Sequence, residues 1–219
     1  MLPRVLETEA MDTLAEAVDY DSMDHAEVNR VFVADLLAAG LQEGETLDLG
    51  TGTAQIPIQL CRQHPSARVL AVDAAAHMLQ VARQNVQKAG LADRIRLQRV
   101  DAKRLPYAAG QFANVISNSI VHHLPDPRQV LQEAWRVAAP GGLIFVRDLF
   151  RPPDDRTLRH LVETYTAGAN RHQQQMFEDS LRAALTVEGI RRLVADLGQP
   201  PDSVRATTDR HWTWVARKR

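Results

Sequence analysis

Two glycines one residue apart, Gly50 and Gly52, follow the run Thr46-Leu47-Asp48-Leu49 and precede Thr53-Ala54, where a helical pattern begins. A strand, a sharp turn and a helix start in that order let backbone approach a ligand closely, because glycine accepts positive φ and carries no Cβ. Asp73 ends the next apolar run, about twenty residues on, where a carboxylate can accept from both hydroxyls of a ribose. A dinucleotide fingerprint would need a small residue at position 55, which is Gln55, whereas Ala54 comes one step early. The spacing therefore suits a ribose better than a pyrophosphate. Asp101 and Asn118 end two further apolar runs, and His122-His123 follows the second. Histidine titrates near neutral pH, so His122 and His123 are candidate acid–base groups, with loop packing as the competing role. No Cys or His cluster stands at metal-ligand spacing, and no metal is expected.

The elements that must hold these residues alternate. Asp24 to Gly40 reads as a helix, with Asp24 and Glu27 as a capping box and Val28, Val31, Phe32 and Leu36 on one face. Strands follow at Leu47–Gly50, Arg68–Asp73, Arg94–Val100, Phe112–Asn118 and Leu143–Asp148, and helices at Thr53–His64, Ala74–Ala89 and Asp126–Ala138. Such a rhythm predicts right-handed βαβ units and an α/β fold with a mostly parallel sheet. After Asp148 it changes: Asp154–Asn170 and His172–Leu185 read as two helices with no strand between, interrupted by the polar run Asn170 to Gln175. Thr186 caps a last helix ending at Gly198, and Ser203–Thr208 with His211–Val215 reads as an antiparallel hairpin. Residues 1–20 are weakly patterned.

The chain is long enough for one sizeable core, and its 45% hydrophobic and 24% charged residues are ordinary for a globular protein. A net charge of −1 gives no broad field to gather nucleic acid or anionic lipid. No apolar run approaches the roughly 18 to 20 residues of a membrane span, and no secretory leader is evident. The one cysteine, Cys61, lies on the apolar side of its helix and cannot form an internal disulfide, which suits the cytoplasm.

Taken in order, Leu47-Asp-Leu-Gly-Thr-Gly-Thr-Ala54, Val72-Asp73 with Met78-Leu79, Val100-Asp101-Ala102, Asn114 to Ser119 with Val121-His-His-Leu-Pro-Asp-Pro127, and Ala139-Pro-Gly-Gly142 resemble the class I S-adenosylmethionine-dependent methyltransferases of the small-molecule type. The resemblance covers residues 46–148, and departs from many members only in having Ala54 for a third glycine. It implies a Rossmann-like three-layer sandwich: a seven-stranded, mostly parallel sheet with an antiparallel last strand, N-terminal helices, and a helical insertion after strand five. One methyltransferase domain would span 1–219, with an N-terminal cap (1–44), a cofactor-binding core (45–150), the insertion (151–186), and the last helix and hairpin (187–219). By the same resemblance Asp48, Gly50, Thr51 and Gly52 hold the methionine end of S-adenosylmethionine. Asp73 with Ala74 holds the ribose, Met78 lines the site, Asp101 and Ala102 meet the adenine, and Asn118 and Ser119 border the methyl. The acceptor side would draw on Tyr20, His122, His123, Asp148, Arg171, His172 and Arg210, with Phe177 and Ser180 on the inserted helices.

The implied reaction is methyl transfer to an O, N or C nucleophile of a small molecule, with no nucleic-acid or membrane partner. A protein acceptor, a non-catalytic cofactor-binding regulator and an NAD-dependent oxidoreductase stand as alternatives, the last opposed by Gln55. The sequence leaves the oligomeric state open.

Overall fold

A computed structural model describes residues 2–7 and 13–219; residues 1 and 8–12 of the expected N-terminal cap lie outside the described part. Seven strands, β1 Glu45–Leu49, β2 Arg68–Asp73, β3 Ile95–Arg99, β4 Phe112–Asn118, β5 Ala138–Leu149, β6 Val204–Ala206 and β7 His211–Arg217, form one sheet in the order β3-β2-β1-β4-β5-β7-β6. β1 runs parallel to β2 (Leu47 beside Leu70) and to β4 (Leu47 beside Val115), and β2 parallel to β3. β6 and β7 are antiparallel, Val204 facing Trp214, as the hairpin pattern predicts. The strand order reverses between β1 and β4. At such a switch point the chain leaves the two neighbouring strand ends in opposite directions, opening a crevice where ligands of open α/β sheets bind.

Among the described residues the helices are α1 Leu14–Ser22, α2 Ala26–Ala38, α3 Gln55–Gln63, α4 Ala76–Lys88, α5 Arg128–Val137, α6 Asp155–Tyr165, α7 Arg171–Ala183 and α8 Val187–Asp196. Three local readings are corrected. α1 lies within the weakly patterned stretch, and a reciprocal capping box fixes its start: Glu16 N–H donates to Thr13 Oγ1 (3.2 Å) while Glu16 Oε2 accepts from Thr13 N–H (3.2 Å). α2 has no such box. Asp24 Oδ1 accepts only from Ala26 N–H (3.0 Å), and Glu27 turns to Arg30 instead, with contacts of 2.6 and 2.8 Å. The polar run after α6 is not a break within helices but the cap of α7: Asn170 Oδ1 accepts from Gln173 N–H (2.9 Å) and Gln173 Oε1 from Asn170 N–H (3.2 Å).

The chain divides into two compact units. The larger comprises Ala10–Asn118, Gln129–Val146 and Val215–Arg219. Its core joins Phe32 and Leu36 of α2, Leu60 and Cys61 of α3, Val69 and Ala71 of β2, Ile116 of β4 and Phe145 of β5, all buried. Phe32 meets Phe145 edge-to-face at 5.1 Å; each such side chain contributes about 1.5–3 kcal/mol by leaving water. The smaller comprises Met1–Glu9, Ser119–Arg128 and Arg147–Trp214. Leu158 and Leu161 of α6, Leu181 of α7, Leu149 and Ala184 form its apolar cluster, with Leu2 and Phe177 packed against it. Trp212, fully buried, donates its indole N–H to Leu149 O at 2.9 Å.

Candidate functional site

In the larger unit the turn after β1 is built by three residues in the left-handed region, Gly50 (φ 68°), Gly52 (φ 55°) and Ala54 (φ 64°). Thr51 N–H donates to Val72 O (2.9 Å) and Ala54 N–H to Thr51 O (3.0 Å), so the turn is tied to β2 before α3 begins. A non-glycine residue in that region costs roughly 1–2 kcal/mol, which Ala54 bears. At Gly52 an added Cβ would meet only Tyr20 Cε1, at 3.9 Å. Space does not demand glycine there; the backbone conformation does. In that conformation Gly52 N–H donates to Asp73 Oδ2 at 2.8 Å, while Asp73 Oδ1 accepts from Ala75 N–H at 2.9 Å. A carboxylate oxygen can accept more than one hydrogen bond, which suits Asp73 to a ligand hydroxyl.

Asp48 lies under the turn at 2% exposure. Burial pushes its carboxyl up to about 7; the Thr51 side chain opposes the shift and the Asp73 charge adds to it. Two more polar atoms stand ready at the switch point. Thr53 Oγ1 and Asn118 Oδ1 are buried with no hydrogen-bond partner among the described residues, and leaving such an atom unpaired costs about 1–3 kcal/mol. Asn118 ends β4 and Ser119 follows it at φ 60°, a second non-glycine residue in the strained region.

Tyr20, expected on the acceptor side, lies beside the glycine turn. It packs with Ala17, Ala75 and Met78, where α1 meets α4, and burial together with the Asp73 and Asp21 charges pushes its hydroxyl up to about 12. Asp21 Oδ1 accepts from Gln55 Nε2 and Asn85 Nδ2, both at 2.9 Å, and Asn85 also donates to Thr53 O (3.1 Å). These bonds pin α1 beside the glycine turn. Asp101 is exposed; its Oδ1 accepts from Lys103 N–H (2.9 Å), so part of its work is to shape its own turn, with half-buried Ala102 beside it.

The smaller unit holds a second polar centre. His122 and His123 lie on a 3₁₀ turn, Val121–His123, with their rings 4.1 Å apart. His122 (2% exposed) places Nδ1 2.5 Å from Oδ1 of Asp148 (0% exposed), and Asp148 Oδ2 accepts from His122 N–H at 3.0 Å. Burial pulls the His122 imidazole down, but the Asp148 charge and hydrogen bond, with the Glu7 charge, outweigh it and raise its pKa. Burial likewise pushes Asp148 up and is outweighed by the His122 charge and hydrogen bond and the Leu149 N–H, leaving it below the usual carboxylate range. Glu7 completes the group, with Oε1 3.4 Å from His122 Nε2 and 3.2 Å from His123 Nδ1.

The other expected acceptor residues are dispersed. Arg171 and His172 are exposed in the first turn of α7. Arg210 is committed, its guanidinium 3.3 Å over the Tyr165 ring and 3.1 Å from Asp209. Phe177 packs in the apolar cluster, whereas Ser180 hydrogen-bonds Glu7. Glu7 was not singled out by the sequence, because its partners lie far along the chain.

With this geometry in hand, the comparisons with known proteins agree with one another. Residues 47–146 match the family model described as a methyltransferase domain. The malonyl-[acyl-carrier protein] O-methyltransferase of Geobacter sulfurreducens is 32% identical over 185 residues, covering 80% of this chain and 67% of that one. The demethylmenaquinone methyltransferase of Thermus thermophilus is 36% identical over 107 residues, about half of either chain (49% and 48%). A solved S-adenosylmethionine-dependent methyltransferase from Aquifex aeolicus superposes with a TM-score of 0.67 at 18% identity, covering 94% of this chain and 98% of that one, a likeness of fold.

Proposed function

This chain belongs to the class I S-adenosylmethionine-dependent methyltransferases, and on that premise we propose that it methylates an O, N or C nucleophile of a small organic acceptor. The observation that carries the reading is the acidic glycine turn: a buried Asp48 carboxyl and the Asp73 carboxylate flank backbone in the left-handed region. Two carboxylates repel a pyrophosphate and attract a cation, which separates this turn from a dinucleotide site.

When bound, S-adenosylmethionine supplies a methyl group already activated on a positively charged sulfur. The residues fit it. Asp48 and the 50–52 backbone would hold the methionine end, where an ammonium meets the carboxyl. Asp73, tied to the turn by Gly52 N–H and to α4 by Ala75 N–H, would take the ribose hydroxyls. Asp101 and Ala102 would meet the adenine edge, and Ala74 and Met78 would line the site. The unpaired Thr53 Oγ1 and Asn118 Oδ1 offer polar partners at the switch point, with Ser119 beside them. Tyr20 would cover the turn and exclude water. Methyl transfer from such a donor asks the protein for in-line positioning and a dry site more than for proton transfer, so a general base is not required of His122 or His123.

The acceptors of the relatives, an acyl-carrier-bound malonyl group and a demethylmenaquinone, support a small acidic or quinone-like acceptor. We place the protein in the cytoplasm: Cys61 is free and buried, and among the described residues no helix is long and apolar enough to cross a membrane. The test is methyl transfer from labelled S-adenosylmethionine to a panel of acyl thioesters, phenols and quinols. Label in at least one acceptor, abolished by Asp73→Ala, is expected. Cofactor binding without transfer to any acceptor would turn the reading to a regulator, and stabilisation by NAD alone would overturn it.

A further inference from the structure

The geometry points to a binding site for a divalent transition-metal ion of the zinc class, formed by Glu7 Oε1, His122 Nε2 and His123 Nδ1, with Asp148 as the outer carboxylate that orients His122. The three ligand atoms all lie within 4.8 Å of one another. Glu7 Oε1 stands 3.4 Å from His122 Nε2 and 3.2 Å from His123 Nδ1. With metal–ligand bonds of about 2.1 Å, neighbouring donor atoms are about 3.4 Å apart in a tetrahedral site and about 3.0 Å apart in an octahedral one, so both separations fall where a shared ion would put them.

Glu7 Oε1 and His123 Nδ1 are buried 3.2 Å apart, within hydrogen-bonding distance but without the alignment of a full hydrogen bond. Asp148 accepts from two backbone N–H groups, of His122 (3.0 Å) and Leu149 (2.6 Å), and as a carboxylate it takes the proton of His122 Nδ1 as a third hydrogen bond. That orients the ring and turns His122 Nε2 toward the Glu7 carboxylate, where a cation can stand between them. A carboxylate behind the far nitrogen of a ligating histidine is the usual support of a metal site.

Glu7 is held for this role by its own segment. Arg4 donates to Ala183 O (2.7 Å), Leu124 O (2.8 Å), His122 O (3.2 Å) and Pro125 O (3.3 Å), and Val5 N–H donates to Arg182 O (3.2 Å). Two carboxylates, Glu7 and Asp148, stand against Arg4, on which the Arg151 charge also acts. Two imidazoles and one carboxylate select a borderline metal over the oxygen-seeking magnesium or calcium, and three protein ligands leave a further position for water or a ligand oxygen. The expectation of no metal rested on sequence spacing, which does not place Glu7 near His122 and His123. The inference is independent of the methyl donor.

The test uses the full chain stripped with a chelator, then given zinc sulfate alone, with metal content after desalting, calorimetry and melting temperature as readouts. One zinc per chain is expected, with a rise in melting temperature that magnesium does not reproduce. Glu7→Gln, close in shape to the native side chain, and His123→Asn each weaken zinc binding at least about tenfold, and Asp148→Asn does so by about 10–100-fold. Cobalt substitution gives a visible band that Glu7→Gln removes. Zinc well below one equivalent in the native chain overturns the proposal, as does stoichiometric zinc that Glu7→Gln and His123→Asn both leave unchanged. Should His123→Asn fail to fold, Glu7→Gln alone decides.

Discussion

The two polar centres solve the problem of burying charge in opposite ways. At the glycine turn, Asp48 has no cationic partner: its carboxyl is raised to about 7, Asp73 adds repulsion, and Thr53 Oγ1 and Asn118 Oδ1 wait unpaired. At the histidine centre the charge is matched, Asp148 against His122, with Glu7 turned to both imidazoles. Unpaired polar groups held in strained backbone are costly unless a ligand completes them. Matched buried pairs hold the fold. Substitutions at the histidine centre should therefore act first on stability, and those at the turn first on cofactor affinity.

The largest effect is expected at Asp148. Asp148→Ala removes one partner of a fully buried pair and should lower unfolding stability by about 3–5 kcal/mol in urea titration. A loss under 1 kcal/mol would break the contrast. Asp73→Ala should do the reverse, weakening S-adenosylhomocysteine binding about 100-fold through two lost charge-assisted hydrogen bonds while costing about 1–2 kcal/mol of stability. Unchanged affinity in calorimetry would remove the ribose role.

A third expectation concerns pH. The Asp48 carboxyl, raised in the fold from 3.8 to about 7, binds its proton more tightly in the native than in the unfolded chain. Its contribution is therefore full below about pH 4 and is lost as pH rises through 7. Between pH 5 and 8 the unliganded protein should lose roughly 2–3 kcal/mol from this group alone. Asp48→Asn should flatten that part of the profile; equal slopes in the two proteins would deny the raised carboxyl. The smallest effect is at Ser119, whose φ of 60° strains a side-chain-bearing residue. Ser119→Gly gains roughly 1–2 kcal/mol of relief but returns about 0.4–1 kcal/mol to the unfolded chain, for a net gain between about 0 and 1.6 kcal/mol in melting experiments.

The same contrast sets what the sequence could reveal. The turn was legible because its determinants are local: two glycines, Asp48 just before them, Asp73 at the end of the next strand, and the helix start all follow from short-range pattern. The parallel sheet was legible from the spacing of apolar runs, with β2 and β4 matching their expected bounds. α1 and the cap of α7 carried readable signals, Thr13 with Glu16 and Asn170 with Gln173, hidden by a short apolar pattern in one case and a glutamine run in the other. The place of Tyr20 is not legible in sequence, because only the packing of α1 on α4 sets its ring beside Gly52. Glu7 was beyond reach: nothing near it in the chain marks it, and its partners are brought to it by Arg4, the 3₁₀ turn and the end of β5.

The central claim, that the acidic turn receives the cationic methionine end of the methyl donor, is tested most directly by calorimetry with S-adenosylhomocysteine at pH 6 and pH 8. If Asp48 faces the ligand's ammonium group, binding must drive its proton off. Affinity should then rise about tenfold between the two pH values in the native chain and stay flat in Asp48→Asn. Native affinity independent of pH and unaltered by Asp48→Asn would contradict the account.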